Sequence, residues 1–146
     1  MRKVTDESVT SSTTLQSDDE LTFSIGASET WLFQIVAQVH SASDTPDFKV
    51  AVSGPTGATG AYGIWGIGSS SSGTSAVSTL SFYTFDGSTS GGFGAISAAD
   101  IPTLVDGVIV NSTTAGSVAL SWAQNTSNGT ATTVKAGSTL FACRIA

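Results

Sequence analysis

The segment from Asp106 to Ile145 constrains the fold more than any other part of the chain. It holds three apolar-alternating runs separated by Gly, Asn, Ser and Thr. Val118, Leu120 and Trp122 share one parity, and Ser117, Ala119, Ser121 and Ala123 share the other. Leu140, Ala142 and Arg144 likewise oppose Thr139, Phe141, Cys143 and Ile145. A period of two puts alternate side chains on opposite faces, so these runs read as antiparallel strands with one face in a core. Residue types that carry catalysis are nearly absent from the segment, which points to a surface rather than an active site.

The same pattern extends upstream. Leu21–Ile25 alternates, and Trp31, Phe33, Ile35, Ala37 and Val39 share a parity opposed by Leu32, Gln34, Val36, Gln38 and His40. Further strands are expected at 47–53, 61–67 and 77–85. Between them lie a Gly/Pro turn at 54–60, a low-complexity loop at 69–75 and a Gly/Ser loop at 86–94. Ala98-Ala99-Asp100-Ile101-Pro102 is the one place where a short helical turn is expected. Ser and Thr fill nearly a third of the 146 positions and charged residues only 11%. Helix formers are therefore scarce while β-branched and turn residues abound. The expectation is an all-β antiparallel sandwich of jelly-roll type, with about eight strands. Its single domain spans 16–146, and an extended N-terminal arm precedes it at 1–15. The expected core contains Phe23, Trp31, Phe33, Ile35, Val118, Leu120 and Trp122.

The formal net charge of −6, with five scattered basic residues, argues against nucleic-acid or anionic-membrane partners, which need a concentrated basic patch. No run approaches the roughly 20 apolar residues of a membrane helix. Met1-Arg2-Lys3 leads into acids instead of an apolar stretch, so synthesis and folding in a cytoplasm without a signal peptide are expected. Cys143 is the only cysteine and is expected to be a small core residue.

Candidate chemistry is sparse. His40 is the sole histidine, and no Gly-x-Ser-x-Gly elbow accompanies it. Asp18-Asp19-Glu20 lacks the spacing of a calcium loop. Asp47, Asp86, Asp100 and Asp106 have nothing in sequence to pair them. Asn111, Asn125 and Asn128 begin glycosylation sequons that are read as coincidences of composition. The expectation is therefore a protein that is not an enzyme and needs neither cofactor nor metal. Function should rest on contact residues: Val9, Ser11, Thr13 and Leu15 of the arm, and Trp65, set between Gly63 and Gly66 and expected to be exposed.

Several motifs resemble a known group. They are Val4 to Leu15 with Asp18, Glu20-Leu21 and Phe23; Glu29-Thr30-Trp31 with Phe33; Gly54 to Thr59; Asp106 to Asn111; Ala115 to Ser127; and Val134 to Ser138. Together they resemble small structural proteins of tailed-phage virions, over nearly the whole chain except about 64–101. The resemblance implies a sandwich or jelly-roll subunit, commonly a homotrimer, on the virion. A capsid decoration protein contacting the major capsid protein is favoured over a fibre. The rival reading is a carbohydrate-binding or receptor-binding module using Trp65, Tyr62, Tyr83 and Phe93.

Overall fold

The computed structural model describes residues 1–69, 78–85 and 90–146. Eleven strands follow one another in these: β1 (Glu7–Val9), β2 (Gln16–Ile25), β3 (Thr30–Ser41), β4 (Phe48–Ser53), β5 (Thr59–Ile67), β6 (Ser78–Tyr83), β7 (Gly91–Phe93), β8 (Ile101–Val110), β9 (Gly116–Ala123), β10 (Thr132–Val134) and β11 (Thr139–Arg144). Most of the loop expected at 69–75 lies outside the described residues.

All pairings are antiparallel, and the strands form two sheets. The larger runs β1-β10-β3-β8-β5-β6, with β11 also pairing β3; the smaller runs β2-β9-β4-β7. β3 carries β8 along one edge, while its other edge holds β11 opposite Trp31–Val36 and β10 opposite Val39–Ser41.

The sheets face each other across one core, which makes the chain a β-sandwich. Phe33, Ile35, Ala37 and Val39 of β3 are fully buried on the shared face, as are Val118, Leu120 and Trp122 of β9. Aromatic rings fill the seam: Phe23 lies 6.1 Å from Phe33, and Phe48 lies 5.9 Å from Trp122. The Val52 amide donates a 3.1 Å hydrogen bond across the sandwich to the Tyr62 hydroxyl. Each fully buried aliphatic or aromatic side chain contributes roughly 1.5–3 kcal/mol. Of the expected core only Trp31 is partly exposed; it packs at the margin against Phe23.

Four expectations change. The strand count exceeds eight because the short strands β1 and β10, which extend the larger sheet beyond β3, and β7 at the end of the smaller one add to those expected. The 86–94 loop contains β7. No helical turn forms at 98–102: Ile101 opens β8, and Pro102 sits opposite Gln38, beyond Leu104 where β5 stops pairing with β8. Proline is tolerated where a strand has an open edge. Cys143 is exposed, not core, because Leu140 and Ala142 take the inner face of β11.

The N-terminal segment lies against its own domain. β1 pairs β10, the Lys3 amide donates to the Ser138 carbonyl, and the Leu140 amide donates to the Met1 carbonyl. Val9, 6% exposed, belongs to the main core.

Candidate functional site

The inner face of the larger sheet is fixed by the core, so the register also fixes what the outer face presents. Cys143, Leu32, Val108 and Ala61 stand in one row across β11, β3, β8 and β5. Phe141, Gln34, Asp106 and Gly63 form the next row, and Thr139, Val36, Leu104 and Trp65 the third. Val110 continues the β8 column beside Thr30 and Thr59. Leu32, Trp65, Val108, Val110 and Phe141 are all exposed; Trp65 is 47% and Phe141 59% accessible. A half-solvated antiparallel sheet normally alternates apolar inside with polar outside. Here the outer face is mostly apolar, with Gln34 and Asp106 at its centre.

Two depressions flank Asp106. One, of about 440 Å³, runs over Gly60, Ala61 and Gly63 between Trp65 and Val108. The other, of about 240 Å³, lies towards Leu32 and Gln34. Gly60 sits at φ +123°, and a Cβ there would meet the Val108 carbonyl oxygen at 2.2 Å, so no side chain fills that end. Oδ1 of Asp106 is shielded from solvent and has no hydrogen-bond partner. Buried polar atoms normally have one, which makes this oxygen an acceptor in want of a donor.

The contact residues expected from sequence are dispersed. Trp65 is exposed on β5, and three strands separate it from β1 in the sheet order. Val9 is buried, and Leu15 half-buried. Ser11 and Thr13 are exposed; Ser11 has a left-handed φ of 53°, and the Thr13 carbonyl accepts from the Lys49 ammonium. Leu32, Val108, Val110 and Phe141 escaped notice in the sequence. The available signal was apolar residues on both parities of β8, in Val105 and Val108-Ile109-Val110. Of the aromatics considered as a sugar platform, Tyr62 and Phe93 are buried and Tyr83 is half-buried.

The titratable groups are mostly tied to the fold. The Lys3 ammonium, 1% exposed, binds Asp18 and Glu7 at 2.9 Å each. Burial alone would lower its pKa, but those two bonds outweigh that and hold it above the usual lysine value. Asp18 also accepts from the Glu20 and Leu21 amides and from the Trp122 indole nitrogen at 3.3 Å. The acidic run is thus a structural anchor. Asp47, 6% exposed with φ 53°, is pushed up to about 6 by burial; the Ala95 amide opposes the shift and Asp44 adds to it. His40 Nδ1 lies 3.2 Å from the Asp100 carboxylate. The Asn111 amide is spent on the Gly26 and Thr114 carbonyls. Among the described residues no three His, Cys, Asp or Glu side chains converge as a metal site, and no helix is long and apolar enough to cross a membrane.

Comparison of the chain with protein-family models, with characterised proteins and with solved structures finds no match.

Proposed function

We propose that the chain is a structural protein of a tailed-phage virion: a capsid decoration subunit that binds the assembled shell as a homotrimer and works by contact alone. The observation that carries this reading is the apolar outer face of the larger sheet. Contiguous exposed apolar surface on a soluble protein marks an interaction site, and burying it against a partner gains roughly 25 cal/mol per Å². Leu32 and Phe141, with Val110 and Ile145 at the same end, are assigned to contacts between copies. A ligand that binds only the assembled shell stabilises it by mass action, and a trimer gains further through effective concentration.

Two further observations support the reading. Strands β2 to β9 are distributed as β2-β9-β4-β7 and β3-β8-β5-β6, with chain-consecutive neighbours only at the β5–β6 hairpin. That distribution favours a jelly roll, an eight-stranded double sheet of two Greek keys found in viral capsid domains. The sequence motifs that resemble those of phage structural proteins fall on β1, β2, the start of β3, the end of β8, β9 and the entry to β11. Residues 1–15 are held by the domain's own sheet, so shell contact is assigned to exposed faces and not to a free arm.

Mass measurement by light scattering, with co-sedimentation on purified shells, tests the proposal. The native chain is expected at three times its monomer mass and in the shell pellet. Leu32→Glu with Phe141→Glu should give a folded monomer that pellets at least tenfold less. A native monomer that ignores shells would overturn the proposal.

A further inference from the structure

The larger depression lies at the β5 margin of the apolar face, beside the surface assigned to subunit contacts, and its chemistry differs. Its floor is Gly60, Ala61 and Gly63, its wall the Trp65 indole, and its rim Val108 and Asp106. We propose that this groove is a binding site for a neutral saccharide. The inference is independent of the virion assignment.

Three features of the groove converge on that ligand class. An exposed indole beside a floor without large side chains lets a flat ring approach and stack its C–H face on the aromatic surface. A pyranose offers such a face, and its hydroxyls supply donors. Asp106 lines the groove and supplies the acceptor, since a carboxylate accepts only. An apolar side chain from another protein would bury that carboxylate further without a donor, which carries a desolvation penalty. No cation lines the groove. Of the basic side chains, Lys3, Lys135 and Arg144 are each paired with an acid and Lys49 with the Thr13 carbonyl. With a net charge of −6, an acidic sugar would be repelled, which selects a neutral one.

The test titrates the full chain, in its native assembly state, with cello- and chito-oligosaccharides, using sialyl-lactose as the acidic comparator. Binding is read by calorimetry and by perturbation of the Trp65 indole N–H resonance. Neutral sugars are expected to bind with Kd on the order of 0.1–1 mM, about −4 to −5.5 kcal/mol. Trp65→Ala should weaken this at least tenfold and Asp106→Ala several-fold, with melting curves confirming that both variants fold. The proposal fails if no neutral sugar binds at about 10 mM, if Trp65→Ala binds as the native chain does, or if the acidic sugar binds tighter. A Trp65→Ala variant that changes the assembly mass while the native chain binds no sugar identifies the occupant as a second copy and equally overturns it. Shell binding is measured separately, so failure here leaves the decoration reading standing.

Discussion

Around Lys3 the fold buries charge, while along β11, β3, β8 and β5 it leaves large apolar side chains in solvent. Near the N-terminus a lysine, two carboxylates and an indole N–H are locked together under β1, and every partner comes from the same chain. On the outer sheet face Leu32, Val108 and Phe141 meet no such partners. Polar groups are committed to holding this chain together, and apolar groups are left for something else to cover. The contrast separates fold from function: the first region should respond to mutation in stability, the second in association.

The sharpest break of that division would come at its buried half. Lys3→Ala removes the cation and leaves Asp18 buried against Trp122 with only hydrogen bonds to stabilise it. Breaking a buried pair from one side typically costs about 3–5 kcal/mol. Truncating Trp122 to Ala should cost as much or more, because a cavity forms and Asp18 loses its indole donor. Urea denaturation of each variant measures the loss. If Lys3→Ala changes stability by less than about 0.5 kcal/mol, the segment before β2 is an appendage and the comparison collapses.

Asp47 sharpens the same half, since it is buried without a cation. Its folded pKa of about 6 lies above the ordinary 3.8. Between those values the folded chain holds a proton that the unfolded chain has released, so stability falls as pH rises from about 4 to about 6. Above that window the full penalty applies, on the order of 3 kcal/mol from the pKa gap. Asp47→Asn removes the charge, keeps an acceptor for the Ala95 amide and suits the left-handed backbone. It leaves one unpartnered amide N–H, so a net gain of about 1–2 kcal/mol is expected at pH 7.5, turning into a net loss of about 1 kcal/mol near pH 4, where the carboxyl penalty is nearly gone. Thermal melts at both pH values decide it; an equal effect at the two would show that the carboxyl does not titrate in this window.

Much of the fold was legible because a buried sandwich face imposes strict alternation. Phe33, Ile35, Val118, Leu120 and Trp122 could be placed inside from parity alone. The same logic misled at Cys143, where Phe141 made the outer face of β11 look as apolar as the inner one. It was silent about Lys3: a lone lysine near a terminus gives no local sign that Asp18 and Glu7 will fold over it. Trp65 was legible through its flanking glycines. Its companion Asp106 was not, because β8 brings it beside Gly63 only through a pairing between segments far apart in sequence. A site assembled across strands leaves no spacing to read.

The smallest effect on stability tests the solvent-facing half. Phe141→Ser on β11 and Leu32→Ser on β3 remove exposed apolar surface that touches no core residue on its own face. Surface substitutions of this kind usually change monomer stability by less than about 0.5 kcal/mol. Each should nonetheless lower the assembly mass or weaken self-association about tenfold, since side chains at the centre of an interface carry most of its energy. Sedimentation velocity on the single and double variants separates the outcomes. Unchanged association with unchanged stability would mean that this apolar face is uncovered in the working protein. Lost stability with unchanged association would move Phe141 and Leu32 to the same side of the comparison as Lys3.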